Sequence, residues 1–262
     1  MTQTQRKRAM SGFGTAVLIG CISVLGLAEY NIVQTIPVFY DCSCDRTTDV
    51  YVMQLAERVV AYGWAMYTSQ GEYIIGQQYE SSPHKTHYLD LCRMFNEHAP
   101  AGVDAKETAW GLLAIDLLDD PDSGDALRIR VEHTAPTRSL GSTHIAYPAM
   151  AHQDGSEARV GAFYRATPGN HNALIVVNSV SREIQYTVDV RDWDGEPILT
   201  ETFVLQPLAS ERHPLLQMLP SPAGDSYQGA LTVTVDSDDF GALLFTWAHY
   251  FYDELCQYEP LP

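Results

Sequence analysis

The 262-residue chain sets 16 Lys and Arg against 33 Asp and Glu, a formal net charge of −17. A chain so acidic is a poor partner for nucleic acid or anionic lipid and favours basic partners or salt-rich surroundings. The imbalance is also uneven. Three of the basic residues, Arg6, Lys7 and Arg8, precede every acidic one, so the chain after Ala28 carries 13 − 33 = −20.

From Ala9 to Ala28, twenty residues carry no charge, with Arg6-Lys7-Arg8 before them and Glu29 after. As a helix they rise about 30 Å, roughly the hydrocarbon thickness of a bilayer. A cleaved secretory signal has a shorter apolar region, about 7–15 residues, and then a small-x-small site; here the run continues through Ile22, Val24, Leu25 and Leu27. Leu18-Ile19-Gly20-Cys21 resembles a bacterial lipobox, which would make Cys21 a lipidated first residue, but the residues after it stay apolar where lipoproteins continue with a polar tether. We therefore expect a retained transmembrane helix over 9–28. The leading cations place the tail 1–8 in the cytoplasm, and the body lies on the periplasmic side of a bacterial inner membrane. The next most apolar window, Val50 to Tyr67, is broken by Glu57 and Arg58. Gly12, Gly14, Gly20 and Gly26 would let such a helix pack closely on neighbouring helices.

About 230 residues remain, enough for one large or two ordinary domains. Beyond Cys21 they contain Cys42, Cys44, Cys92 and Cys256, which in an oxidising compartment allow two disulfides in three connectivities. Cys42 and Cys44 are too close in sequence to pair easily with each other. We expect at least one of them to reach Cys92 or Cys256.

The body repeats. Shifted by 124 residues, "ERVVAYGWAMYTSQGEYIIGQQYESSP" (57–83) falls on "SREIQYTVDVRDWDGEPILTETFVLQP" (181–207), matching Arg58 with Arg182, Tyr62 with Tyr186, Gly71-Glu72 with Gly195-Glu196 and Pro83 with Pro207. Further on, "DSGDALRIRVEHT" (122–134) resembles "DDFGALLFTWAHY" (238–250). Turn residues and apolar positions agree together, which implies two similar domains in tandem. The second copy reads as β: 173–179, 183–192, 197–206, 229–237 and 242–252 are short, rich in β-branched and aromatic residues and partly alternating. Asp194-Gly195 suits a tight hairpin between two of them. In the first copy "TDVYVMQLAERVVAYGWAMY" would also suit an amphipathic helix, and its alignment with the second copy makes it strands. Short helical turns are expected within 86–95 and 214–220. "TAPTRSLGST" (134–143) reads as the boundary, giving domains 29–137 and 138–262.

The run "HIAYPAMA…ALIVVNSVSREIQYTVDVRDWDGEPI…FVLQPLASERHPLLQML…YQGALTVTVDSDDFGALLF" from 144 resembles the sandwich modules common in exported bacterial proteins, with a Tyr-Pro opening, an apolar strand ending in Asn, an Asp-Gly hairpin and a Leu-x-Pro step. The resemblance covers the second copy directly and the first through the repeat. It implies two tandem immunoglobulin-like β-sandwiches and transfers no catalytic or binding residue; with the transmembrane helix expected over 9–28, the fold class is mainly β behind a single N-terminal span.

Chemistry-bearing motifs are sparse. There is no nucleophile elbow, H-E-x-x-H, P-loop or G-x-G-x-x-G before a helix. His84-x-x-His87 and the acidic "DDPDSGD" (119–125) read as surface features, so we expect no catalytic, cofactor or metal residues. Aromatics cluster at the end, with Tyr250, Phe251, Tyr252 and Tyr258 within nine residues. Alternation buries only about half of such a run. Together with Phe39 and Tyr40 near the anchor, these residues are the candidate interface with another protein, set against a final strand that closes its own sheet. The layout is similar to extrinsic accessory subunits of bacterial photosynthetic and respiratory complexes. That likeness implies a non-catalytic subunit beside integral membrane proteins, in particular a photosynthetic reaction-centre–light-harvesting assembly, with an acidic surface suited to a basic electron carrier. The alternative is an anchored adhesin or glycan-binding module.

Overall fold

The computed structural model describes residues 32–100, 103, 109–118, 127–136, 138–145, 157–167, 169–220, 227–236, 242–251 and 254–260. The expected anchor, 9–28, lies outside the described residues, and among those described no helix is long and apolar enough to cross a membrane. The body is mainly β. Its first half contains β1 (Ile32–Asp41), β2 (Thr47–Gln54), β3 (Val60–Thr68), β4 (Tyr73–Ser81), β5 (Thr86–Asp90), α1 (Leu91–His98), β6 (Trp110–Leu118), β7 (Leu127–Ala135) and β8 (Arg138–Ile145). Its second half contains β9 (Glu157–Thr167), β10 (Asn170–Asn178), β11 (Ile184–Asp192), β12 (Pro197–Leu205), β13 (Ser210–Pro214), α2 (Leu215–Met218), β14 (Tyr227–Asp236), β15 (Leu243–Phe251) and β16 (Glu254–Pro260).

The repeat read from the sequence is a repeat of topology. In the first half β1-β6-β3-β4 faces β5-β2-β7-β8, and in the second β9-β14-β11-β12 faces β13-β10-β15-β16 in the same neighbour order. β3, β4, β5 and α1 recur as β11, β12, β13 and α2 at an offset of 124. β7 and β8 recur as β15 and β16 at 116. In the second module the two sheets are joined where β9 and β10 pair at Asn170–Thr167 and His171–Ala166. β1 and β2 lie in opposite sheets, whereas the first two strands of an immunoglobulin constant domain are neighbours in one sheet.

Each module encloses one core. Alternate residues of β2, β3 and β6 (Val50 and Val52, Tyr62 and Trp64, Ile115 and Leu117) meet between the first pair of sheets. Leu174, Val176, Tyr186, Val188, Leu231 and Trp247 do the same in the second. Each such side chain is worth about 1.5–3 kcal/mol when fully buried, which makes the period of two binding on register. A polar clamp recurs as well. Gln54 donates its side-chain amide to the Arg58 carbonyl, and Asn178 donates to the Arg182 carbonyl at 2.8 Å. The backbone N–H groups of Gln54 and Asn178 each donate over 2.9 Å to Lys85 and Ala209, again 124 apart.

The modules divide later than the sequence suggested. Arg138 pairs with Ala135 and Ile145 with Ile129, so "TAPTRSLGST" is a hairpin of the first module, not a linker. Pro, Thr and Ser serve tight turns as readily as linkers.

The two copies use one hairpin differently. Gly71 and Gly195 occupy equivalent turns with φ of 82° and 85°, a region that costs other residues roughly 1–2 kcal/mol. A Cβ on Gly71 would collide with the Pro207 carbonyl of the second module, while one on Gly195 meets nothing within 4 Å. Gly195→Ala should therefore lose about 1–2 kcal/mol, and Gly71→Ala clearly more. Chemical denaturation checks this, and equal losses would remove the close approach from the account.

Candidate functional site: the seam between the modules

β6 and β10 are buried along nearly their whole length, because both of their faces are covered. Leu113 and Ile115 point into the first core and Leu174 and Val176 into the second. The opposite faces meet at the seam, where Phe39, Leu112 and Ala114 pack on Ala173, Ile175, Val177, Ala248, Leu255 and Tyr258. The apolar "ALIVV" run is thus a strand between two hydrophobic layers, the pattern of sheets covered on both sides.

At one edge of this apolar contact sits a fully buried carboxylate, Asp41. From its own module it accepts from Arg46 Nη1 at 2.9 Å, Ser43 N at 2.9 Å and Ser43 Oγ at 2.5 Å. From the second module it accepts from Arg212 Nη2 at 3.3 Å and from the Tyr258 hydroxyl. Burial alone would raise its pKa, but the Arg212 and Arg46 guanidiniums, with the Ser43 and Tyr258 hydroxyls, hold it below the usual carboxylate range. Arg212 also lies over Trp110, 5.0 Å from the ring centroid, a cation–π contact. The Tyr258 ring packs on Phe39 and His133, with centroids 5.2 and 4.8 Å apart.

The next residue, Cys42, is disulfide-bonded to Cys92 at the start of α1. The bridge closes 50 residues, worth about 4 kcal/mol in the chain-entropy model, and it anchors the segment that carries Asp41. Cys44 is exposed, and Cys256 is placed by its backbone in β16.

A cleft of about 380 Å³ opens beside the cluster, lined by Ser69, Gln70 and Trp110 from one module and Gln206, Glu211 and Arg212 from the other. Ser210 N donates to the Ser69 carbonyl across its floor at 2.9 Å. Two buried donors on this wall, Ser210 Oγ and Arg212 Nε, have no protein partner. His213 lies behind Glu211, its Nε2 2.5 Å from the Tyr186 hydroxyl, and burial pushes its pKa down to about 4.

The aromatic residues expected to face another protein are placed largely within the chain. Phe39 and Tyr258 are buried at the seam, and Tyr250 packs against it, stacked on His171 with centroids 4.8 Å apart. Tyr40 is in the first core, its hydroxyl donating to the Tyr67 carbonyl at 2.9 Å. Phe251 is placed by its backbone pairing with Asn170, and Tyr252 lies outside the described residues. The apolar surface of Phe39 and Tyr258 is matched by an internal partner sheet, which local sequence does not display. His84 and His87 do not converge: His84 Nε2 lies 3.2 Å from Glu57, while His87 packs on Tyr62 and Tyr79. Among the described residues no group of three or more His, Cys, Asp or Glu is placed to hold a metal ion, and "DDPDSGD" lies outside them. Sequence reading passed over Asp41, Arg46 and Arg212; the one available signal was Asp41, a charged residue at the end of an apolar strand.

No family model matches the chain, and no curated protein matches it. Among solved structures it is similar to a member of glycosyl hydrolase family 2 from Bacteroides cellulosilyticus DSM 14838, at 9% identity and a TM-score of 0.20. The match covers 86% of this chain, which spans only 27% of that protein's length.

His133 is buried against Thr48 and Tyr258, and burial, partly opposed by Asp41, lowers its pKa to about 4 from 6.5. Between those values the unfolded chain takes up a proton that the folded one refuses. Stability present above pH 6.5 is therefore lost as pH falls towards 4, by about 3 kcal/mol. His133→Gln should lessen the pH dependence of the melting temperature across this window, with His213 keeping its own share; an unchanged slope would exclude His133 as a source. Asp41→Asn should cost about 3 kcal/mol or more, because it strands two guanidiniums. Adding Arg212→Met should recover part of that loss, and simple additivity in denaturation would show the two residues to be uncoupled.

Proposed function

We propose that the chain is a non-catalytic, membrane-anchored periplasmic accessory subunit that braces a larger integral membrane complex. The observation that carries the reading is the uncharged run 9–28 behind Arg6-Lys7-Arg8, followed by a body whose two modules are joined through a two-sided apolar seam and a buried ionic cluster. A spanning helix delivers the body to a membrane surface, and a seam of this kind makes a strut of it. We read the modules as immunoglobulin-like in the wide sense of two-layer antiparallel sandwiches, with a strand order of their own. The specific form of the proposal is a photosynthetic reaction-centre–light-harvesting complex, where the charge of −20 beyond Ala28 would attract a basic electron carrier.

The cleft beside Trp110 favours a second reading, an anchored glycan-binding module, since an aromatic ring flanked by Gln70, Gln206 and Arg212 suits a polar ring-bearing ligand.

Purification of the full-length protein from native membranes separates the two. The first reading expects stoichiometric recovery with pigment- or haem-bearing integral membrane proteins, seen by mass spectrometry and absorption. Recovery alone, with saccharide binding lost in Trp110→Ala, would replace it with the second. For the carrier, added salt should weaken binding in the complex more than in one lacking this subunit; equal weakening would remove that role.

A further inference from the structure

Among the described residues, the duplication leaves one docking face of each kind uncovered. Within the chain the outer face of β1-β6-β3-β4 is covered by the outer face of β13-β10-β15-β16. The counterpart of the first, the outer face of β9-β14-β11-β12, carries Phe163 and Trp193, 76% and 74% exposed with ring centroids 6.0 Å apart. These are not arbitrary positions. Tyr40 pairs with Gly111 as Tyr164 pairs with Gly229, and both glycines lie beneath equivalent backbone, 67–68 and 191–192. The offset of 124 therefore holds for β1 and β9. Phe163 stands where Phe39 anchors the seam, Trp193 where Ser69 receives the Ser210 N–H, and Gly195 where Gly71 meets Pro207.

We propose that this face is a self-association surface, covered by the outer face of β5-β2-β7-β8 of a second copy of this chain. That face is the counterpart of the one that closes the seam, so the same contact is made again between chains. Its residues answer the changes on the other side. Arg165 stands in place of Asp41, while Tyr88 stands in place of Arg212, with its hydroxyl 2.7 Å from the Asp49 carboxylate. A cation thus stands where the seam has a carboxylate, and the Asp49 carboxylate lies beside the position where the seam has a cation. Ile175 is replaced by Tyr51, whose ring centroid lies 5.3 Å from that of Tyr88, 54% exposed, an aromatic surface for Phe163 and Trp193. Glu132 on the same face is paired with Arg130, and Arg128 is a further cation there. The contact joins unlike faces, so it is heterologous and propagates head to tail. It does not depend on the identity of any membrane partner.

The test is sedimentation velocity of the detergent-solubilised full chain across about two decades of concentration. Concentration-dependent dimers and higher species are expected. Phe163→Ser with Trp193→Ser, and separately Tyr51→Ser with Tyr88→Ser, should each weaken association by about tenfold or more, with unchanged circular dichroism and melting temperature. Mixing the two variants should restore a dimer that does not grow, because one intact face of each kind remains. A monomer at every concentration, association undiminished in either variant, or no dimer on mixing would each overturn the proposal. So would protection of Trp193 only by a different protein.

Discussion

The structure depends on Asp41. A carboxylate withdrawn from water costs several kcal/mol unless charge and hydrogen bonds surround it, and here the required groups come from both modules. Arg46 and Ser43 are local, whereas Arg212 and Tyr258 lie 171 and 217 residues away. Apolar packing at the seam is strong but non-directional. The ionic cluster admits one register, because any displacement leaves a buried charge unpaired. The Cys42–Cys92 bridge reinforces this by tying the segment after Asp41 to α1.

The same topology is used twice with different surfaces. Inner faces are alike in both copies: Tyr62 and Tyr186 are buried, and the Gln54 and Asn178 clamps close the same loops. Outer faces have diverged. Phe39 is covered and Phe163 exposed; Ala173 and Val177 are covered, and Asp49 and Met53 in their places are half-buried. Folding constrains what points inward in each copy alone. What points outward is constrained only where something packs against it, so the divergence maps the seam.

Much of the fold was legible. The offset of 124 placed β3 on β11 and β4 on β12 almost to the residue, because alternation and turn glycines are local signals that both copies must satisfy. The region 134–143 misled, since turn composition is shared by hairpins and linkers. The aromatic end allowed two readings, an interface or a strand closing its own sheet, and β16 does pair with β15. Tyr258 shows the density expected of an exposed contact residue, but its hydroxyl is satisfied by Asp41 far away in sequence.

By itself the sequence determined the acidic charge, the twenty-residue uncharged run with its leading cations, the β character and the duplication. Each is a property of composition or of short-range periodicity, which neighbouring residues express without help from the rest of the chain. Tertiary structure alone decided which cysteines pair, which aromatics are covered and where the modules join. Those outcomes depend on contacts between residues 50 to more than 200 positions apart, and no local pattern encodes which distant partner will neutralise a buried charge or cover an apolar face.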